Sequence, residues 1–143
     1  MNDNIGLLEA IAENTEMGKN TLAQLLDMTA DASLSAELER QQQGYRSLNR
    51  RAHAAMSEYG GQVHGQSAWA KINTHMGICM ETFKDKSTPK LAEMLIEGSN
   101  QGIMDCVKSR AEFPDAEVSV MRLSEELEQF QQANVENLKQ FLG

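Results

Sequence analysis

The sequence predicts an all-α protein with four long amphipathic helices in one domain, residues 1–143. Apolar residues recur at spacings of three and four along most of the chain, a period typical of helices that bury one face. Capping residues, prolines and glycines divide this pattern into segments. There is no alternation typical of β-strands, and aromatic residues make up only 5% of the chain, which favours a helical core of Leu, Ile, Ala and Met.

The first helix is predicted to begin at a cap formed by Asp3 or Asn4 and to run to about Met28. Two residues at the centre of its apolar seam, Thr15 and Gly18, are small. The seam itself, spaced by three and four residues, consists of Leu8, Ile11, Thr15, Gly18, Leu22 and Leu25. The glutamates off this seam, which we expect to face solvent, are Glu9, Glu13 and Glu16.

The second helix follows the interruption TADAS, in which Asp31 or Ser33 can act as the cap. At its centre lie the polar Gln41 and, beside it, Gly44. Its seam consists of Leu34, Leu38, Gln41, Tyr45, Leu48, Ala52, Ala55 and Tyr59. We expect the pair Gly60–Gly61 to end this helix, because glycine readily adopts the left-handed conformation that terminates helices.

A shorter segment with Ser67 as its cap carries one apolar stripe, which consists of Trp69, Ile72, Met76, Cys79 and Phe83. We interpret it as a short extra helix in the crossover between the second and third long helices. The alternative is that it forms only the helical turns of a loop.

The third long helix is predicted within residues 87–113, where the pair Thr88–Pro89 provides a start signal. The Thr hydroxyl can cap free N–H groups, and Pro at the first helical position lacks only an N–H that would have no partner. Pro114 ends the helix. An interior glycine costs about 1 kcal/mol relative to Ala. Gly98 and Gly102, one turn apart, therefore predict either the close approach of a neighbouring helix or room for a ligand.

The last helix is predicted to begin at a cap formed by Asp115. Its seam consists of Val120, Leu123, Leu127, Phe130, Asn134, Leu138 and Phe141. The polar Asn134 interrupts this seam, and Gln131 lies one turn earlier.

Four long helices with one long crossover between the second and the third resemble the plan of a ferritin-like four-helix bundle. The whole chain resembles the bacterial ferritin-like family of small stress-associated proteins of unknown function. The resemblance rests on length, on the helix plan and on the sequence IEGSNQG of the third long helix. It also rests on two places where a glutamate is closely followed by a glycine, Glu97-Gly98 and Glu16-Met17-Gly18.

The sequence lacks the ligand pattern of a conventional ferritin-like di-iron centre. Such a centre uses inward Glu residues from two helices and a Glu-x-x-His pair from each of the other two. None of His53, His64 and His75 has a Glu three residues before it. We therefore expect no conventional metal centre and no bound cofactor. The alternative is an unorthodox iron or manganese site, whose candidate ligands are Glu13, Glu16, Glu93 and Glu97.

A second metal hypothesis concerns His75 and Cys79, which share a helix face because they lie four residues apart. Zinc needs three or four protein ligands, and this segment supplies only two. A boundary histidine over a buried cysteine is the simpler interpretation.

Composition and motifs exclude several functions. The net charge of −8 disfavours binding to nucleic acid. The first ten residues contain neither a basic stretch nor a long apolar run, so we expect no signal peptide and no membrane span. Cys79 and Cys106 lie within apolar patterns, which favours a reducing cytoplasm. Because the chain contains no phosphate-binding glycine loop and no nucleophile motif, we favour a non-enzymatic protein.

Three functions remain open. The first is interaction with an unidentified protein partner, or assembly as a homo-oligomer, most simply a dimer. It is favoured because the nine Met residues and the amphipathic helices can leave apolar surface uncovered. The second is iron or manganese binding. The third is a small-molecule carrier with a cavity at the middle of the helices, lined by Gly18, Gln41, Gly44, Gly98 and Gly102.

Overall fold

The computed structural model describes residues 2–60 and 85–143. These residues form four long helices and no β-strand, so the all-α prediction is confirmed for them. The helices are α1 (Asp3–Met28), α2 (Ala32–Glu58), α3 (Thr88–Glu112) and α4 (Val118–Leu138), followed by a short 3-10 helix, Lys139–Phe141. The predicted short helix in the crossover lies outside the described residues, as does the pair of His75 and Cys79.

The ends of the first two helices follow local sequence signals. The cap of α1 is Asn2 rather than Asp3 or Asn4, because the Asn2 side chain accepts a hydrogen bond of 2.8 Å from the Asn4 N–H. Asp31 caps α2 as predicted, with its carboxylate 2.9 Å from a backbone nitrogen in the first turn. After the end of α2, Gly60 has a φ of 71°, which is the left-handed conformation expected at this stop.

The starts of α3 and α4 differ from the prediction. Thr88 is not the cap of α3, because the helix begins at Thr88 itself and Ser87 occupies the cap position. Asp115 is not the cap of α4 either, since the helix begins only after Glu117. The backbone N–H groups of this loop bond instead to α1: Asp115 donates to the Asp3 carboxylate at 2.8 Å. Tertiary hydrogen bonds therefore replace the local cap.

Hydrogen bonds between the helices define their directions. At one end, the Glu117 N–H donates to the Asn4 side chain at 2.6 Å, which places the starts of α1 and α4 together. The Tyr59 hydroxyl, just after α2, donates to the Glu117 carboxylate at the same end. Thus α1 and α4 are parallel, and α2 runs antiparallel to both.

The two halves of the chain are helical hairpins, in which α1 packs against α2 and α3 packs against α4. Helix α1 also contacts α3 and α4, and α2 contacts α4. Because α3 is antiparallel to α4, it runs in the same direction as α2. The end of α2 and the start of α3 therefore lie at opposite ends of the structure. This arrangement is compatible with a helical bundle, and none of the described helices is both long and apolar enough to cross a membrane.

The core has apolar layers at both ends and a polar layer at its centre. Leucines dominate the two ends, and those with no exposed surface include Leu7, Leu8, Leu34, Leu38, Leu91 and Leu138. Several of the buried residues halfway along the helices are uncharged and polar, and they include Asn14, Thr15, Asn49, Ser99 and Gln131. Leucine burial stabilises the two ends, at about 25 cal/mol per Å² of apolar surface. The centre depends on hydrogen bonding.

Candidate functional site

A network of uncharged hydrogen-bonding groups crosses the centre of the four helices. The Gln131 amide Nε2 donates to Asn14 Oδ1 at 2.8 Å and to the Tyr45 hydroxyl at 3.1 Å. Asn14 Nδ2 donates to the Gly102 carbonyl at 3.1 Å and lies 3.6 Å from Cys106 Sγ. We call Asn14, Tyr45, Gly102, Cys106 and Gln131 the central network. Every long helix contributes at least one member, so the network fixes the register between the two hairpins.

Two ionisable groups of the central network stay neutral at neutral pH. Burial raises the pKa of the Cys106 thiol to about 12, so the thiolate that reactive cysteines require is not formed. Burial also raises the pKa of Tyr45, although its hydrogen bond with Gln131 acts in the opposite direction. The Tyr45 hydroxyl accepts from Gln131 and keeps its own proton as a donor.

A second buried cluster lies between α1 and α2. Asn49 Nδ2 donates to the Ala12 carbonyl at 3.2 Å and to Thr15 Oγ1 at 3.0 Å. The Thr15 hydroxyl in turn donates to the Ile11 carbonyl at 2.8 Å. These bonds satisfy the small polar residue at the middle of the α1 seam and therefore have a structural role.

A cavity of about 510 Å³ lies beside the central network, between α1 and α3. This volume falls within the range of small-molecule sites in proteins, about 300–1,000 Å³. Apolar side chains form much of the wall, and they include Met17, Leu22, Leu25, Met94 and Leu95. Its polar side is formed by Gln41, Tyr45, Ser99 and Gln131. Asp105 is the one charged residue among the described residues that line it. We call this space the main cavity.

The five residues predicted to line a central cavity separate into two groups. Gly18, Gln41 and Gly98 line the main cavity, whereas Gly44 and Gly102 do not. A Cβ atom at Gly44 would collide with the Phe130 ring, and one at Gly102 would collide with the Gln131 amide. At these two positions glycine permits close packing of α4, and that packing excludes a ligand.

Gly18 and Gly98 both line the main cavity but have different surroundings. A Cβ atom at Gly18 would lie 2.6 Å from the Tyr45 ring. A Cβ atom at Gly98 would meet nothing within 4 Å. Close packing against Tyr45 thus explains why residue 18 is a glycine, whereas Gly98 adjoins open space.

Alanine substitutions at these two glycines are expected to change stability in opposite directions. Gly98→Ala should raise the free energy of unfolding by about 0.5–1 kcal/mol, because alanine is the better helix former and no atom is displaced. Gly18→Ala should lower it by about 1–3 kcal/mol, because the tyrosine ring must move in a packed core. Urea denaturation followed by circular dichroism measures both. Equal changes in the two variants would contradict the difference in surroundings.

Gln41 is the polar residue most deeply buried in the wall of the main cavity, with 1% of its surface exposed. Its Nε2 donates to the Glu37 carboxylate at 2.8 Å. Among the described residues, no donor forms a hydrogen bond with its Oε1. Burial alone would raise the pKa of Glu37, but hydrogen bonds from Arg40 and Gln41 outweigh this effect and the pKa is lowered. Glu37 therefore stays ionised and holds the Gln41 amide in one orientation.

The glutamates predicted as unorthodox metal ligands are not brought together. Glu16 pairs with Lys19 at 3.0 Å, and Glu93 pairs with Lys90 at 3.4 Å. Glu97 is exposed, as is Glu93. Within residues 2–60 and 85–143, no three His, Cys, Asp or Glu side chains form a group that could hold a metal ion.

Glu13 differs from its predicted solvent position because it is partly buried against α3. It lines a smaller cavity of about 300 Å³ together with Asp105, Lys108 and Glu112. Burial, together with the nearby charge of Glu9, raises its pKa. The smaller cavity shares Asn14, Met17 and Asp105 with the main cavity.

Sequence reasoning missed Asn14, although this residue joins three helices. The predicted seam of α1 runs through Ile11 and Thr15, and Asn14 lies beside that line. Its signal is its spacing: Asn14 lies one turn before Gly18, the residue that lines the main cavity. A polar residue at that position can face the same neighbouring helix.

Comparison with protein-family models, with curated proteins and with solved structures finds no match to this chain. The expected assembly as a dimer and the expected cytoplasmic location stay predictions.

Proposed function

We propose that the chain is a ferritin-like helical protein without a conventional dimetal centre, and that it binds a small, mainly apolar molecule in the main cavity. The observation that carries this proposal is the cavity itself, about 510 Å³ with a largely apolar wall and a few uncharged polar groups on one side. This combination is typical of small-molecule sites, in which apolar contacts supply affinity and a few polar groups fix orientation.

The helix directions support the ferritin-like part of the proposal. Helices α2 and α3 run in the same direction, so one long connection joins opposite ends of the structure. A four-helix bundle with one such crossover is the plan of ferritin-like folds. Simple up-and-down bundles, by contrast, have only short loops between antiparallel neighbours.

The central network supports binding of an uncharged molecule over binding of iron or manganese. Ferritin-like metal centres place inward carboxylates and histidines at the middle of the bundle. In this chain the corresponding layer holds the amides of Asn14 and Gln131 and the phenol of Tyr45, which bond to one another. Hard divalent cations prefer several anionic oxygen ligands, and these groups supply none.

Blocking the main cavity should abolish most of the binding. N-phenyl-1-naphthylamine is an uncharged fluorescent probe whose emission rises in apolar surroundings. We expect it to bind the wild-type protein, and we expect Gly98→Phe to weaken its affinity by about tenfold or more, a loss of about 1.4 kcal/mol. The phenyl group has room to enter the cavity because a Cβ atom at this position meets no neighbour within 4 Å.

Gly98→Ala is the matched control, since it adds only one carbon to the same wall. It should retain affinity for the probe, and the far-UV circular dichroism of both variants should equal that of the wild type. Failure of the wild type to bind the probe, or equal affinity in Gly98→Phe and Gly98→Ala, would contradict the proposal.

A further inference from the structure

We infer that the molecule bound in the main cavity carries one uncharged group that both donates and accepts hydrogen bonds, such as a primary carboxamide or an alcohol, on an apolar body. This inference rests on the proposed function and names the chemical class of its ligand. Three features of the described part of the cavity wall carry it: the absence of a cation, an acceptor on Gln41 that receives no hydrogen bond from the described residues, and the donor on Tyr45.

The charges of the described lining residues disfavour an anionic ligand in the main cavity. No Lys, Arg or His is among the described residues that line the main cavity. The ionised carboxylate of Glu37 lies directly behind Gln41, and Asp105 lies at the wall itself. A carboxylate or phosphate placed here would lose hydration and gain no positive partner, and burial of an unpaired charge is costly.

The polar side of the wall includes an acceptor on Gln41 and a donor on Tyr45. The hydroxyl groups of Thr21 and Ser99 also line the cavity. Gln41 Oε1 accepts no hydrogen bond from the described residues, and the side chain is 1% exposed. The amide cannot simply rotate to use its nitrogen, because Nε2 is held by Glu37 at 2.8 Å. Tyr45 lies one turn further along α2, on the same helix face, and keeps its hydroxyl proton.

A cationic head group fits this pair less well than an uncharged one. An ammonium group has three donors and no acceptor, so it satisfies Gln41 but cannot accept from Tyr45. A carboxamide or hydroxyl group can donate to the glutamine oxygen and accept from the tyrosine hydroxyl at the same time.

Four probes of similar chain length and different head groups test this inference. Decanamide, decanol, decanoate and decylamine would each compete with N-phenyl-1-naphthylamine for the wild-type protein at neutral pH. We expect decanamide and decanol to bind about tenfold or more tightly than decanoate and decylamine. Decanamide and decanoate share a nine-carbon alkyl chain, and decanol and decylamine share a ten-carbon one, so the difference in affinity within each pair reports on the head group.

Gln41→Met removes the acceptor but keeps the length of the side chain, and Tyr45→Phe removes the donor but keeps the ring. Either variant that retains the circular dichroism of the wild type should lose most of the preference for decanamide over decanoate. Gln132→Met, an exposed substitution on α4, should leave the preference unchanged.

The outcomes separate this inference from the proposed function. The inference would be overturned if decanoate or decylamine bound most tightly. It would also be overturned if a folded Gln41→Met or Tyr45→Phe protein kept the full preference for decanamide over decanoate. In both cases the cavity would remain a binding site. If neither the fluorescent probe nor any of the four compounds binds the wild type, the proposed function itself is wrong.

Discussion

Replacing Gln131 with Leu is expected to lower the free energy of unfolding by about 3 kcal/mol. Gln131 is 2% exposed and donates to both Asn14 Oδ1 and the Tyr45 hydroxyl. Leucine fills a similar volume but leaves Asn14 with a buried acceptor that no donor reaches. An unsatisfied buried polar group costs about 1–3 kcal/mol, and here two groups lose their donor together. Urea denaturation followed by circular dichroism measures the change.

Gln132→Leu is the matched control because it makes the same substitution at the next residue, which is exposed. Among the described residues, Gln132 bonds only to Glu128, on its own helix. We expect a change within about 0.5 kcal/mol, as for most surface substitutions. If Gln131→Leu were no more destabilising than this control, the central network would contribute nothing to the coupling between the hairpins.

Replacing Asn134 with Leu is expected to have the opposite effect and to raise the free energy of unfolding by about 1–2 kcal/mol. Asn134 has no exposed surface, and within the described part of the chain its Nδ2 forms no hydrogen bond. Its Oδ1 accepts from Arg40 at 3.1 Å. Leucine removes the unpaired donor and continues the apolar seam, while Arg40 keeps its ion pair with Glu37.

Arg40→Met is the companion substitution, since it removes the donor to Oδ1 together with the ion pair to Glu37 and leaves the asparagine in place. We expect Arg40→Met to be destabilising and Asn134→Leu to be stabilising in the same urea titration. A loss of stability in Asn134→Leu would contradict the prediction and would mean that the Asn134 amide is satisfied in the folded protein.

The helices were predictable because their signals are local. Apolar spacing defined all four long helices, and Asp31 and Gly60 marked boundaries through their own side chain or backbone. Thr88 is the first residue of α3 and not its cap. Asp115 is not a cap because a cap is needed only where backbone N–H groups lack other partners. In the loop before α4, α1 supplies those partners through Asp3 and Asn4.

The site was less predictable because it depends on which side chain faces each glycine from another helix. The sequence shows Gly44, Gly98 and Gly102 as equivalent small residues at helix centres. Phe130 covers the first and Gln131 covers the third, and both come from α4. Only Gly98 adjoins open space. Periodicity identifies the buried face of each helix, but the pairing of individual residues across helices depends on axial position, which no local pattern encodes.

The division of the main cavity between the two hairpins makes its occupancy a measure of long-range order. Gly18, Gln41 and Tyr45 belong to the first hairpin, whereas Gly98 and Ser99 belong to the second. Each hairpin can retain helical hydrogen bonds while separated from the other, but neither alone encloses the cavity. Release of a bound molecule would therefore report the separation of the two hairpins even where the far-UV circular dichroism of the helices persists. It would distinguish partial opening from global unfolding.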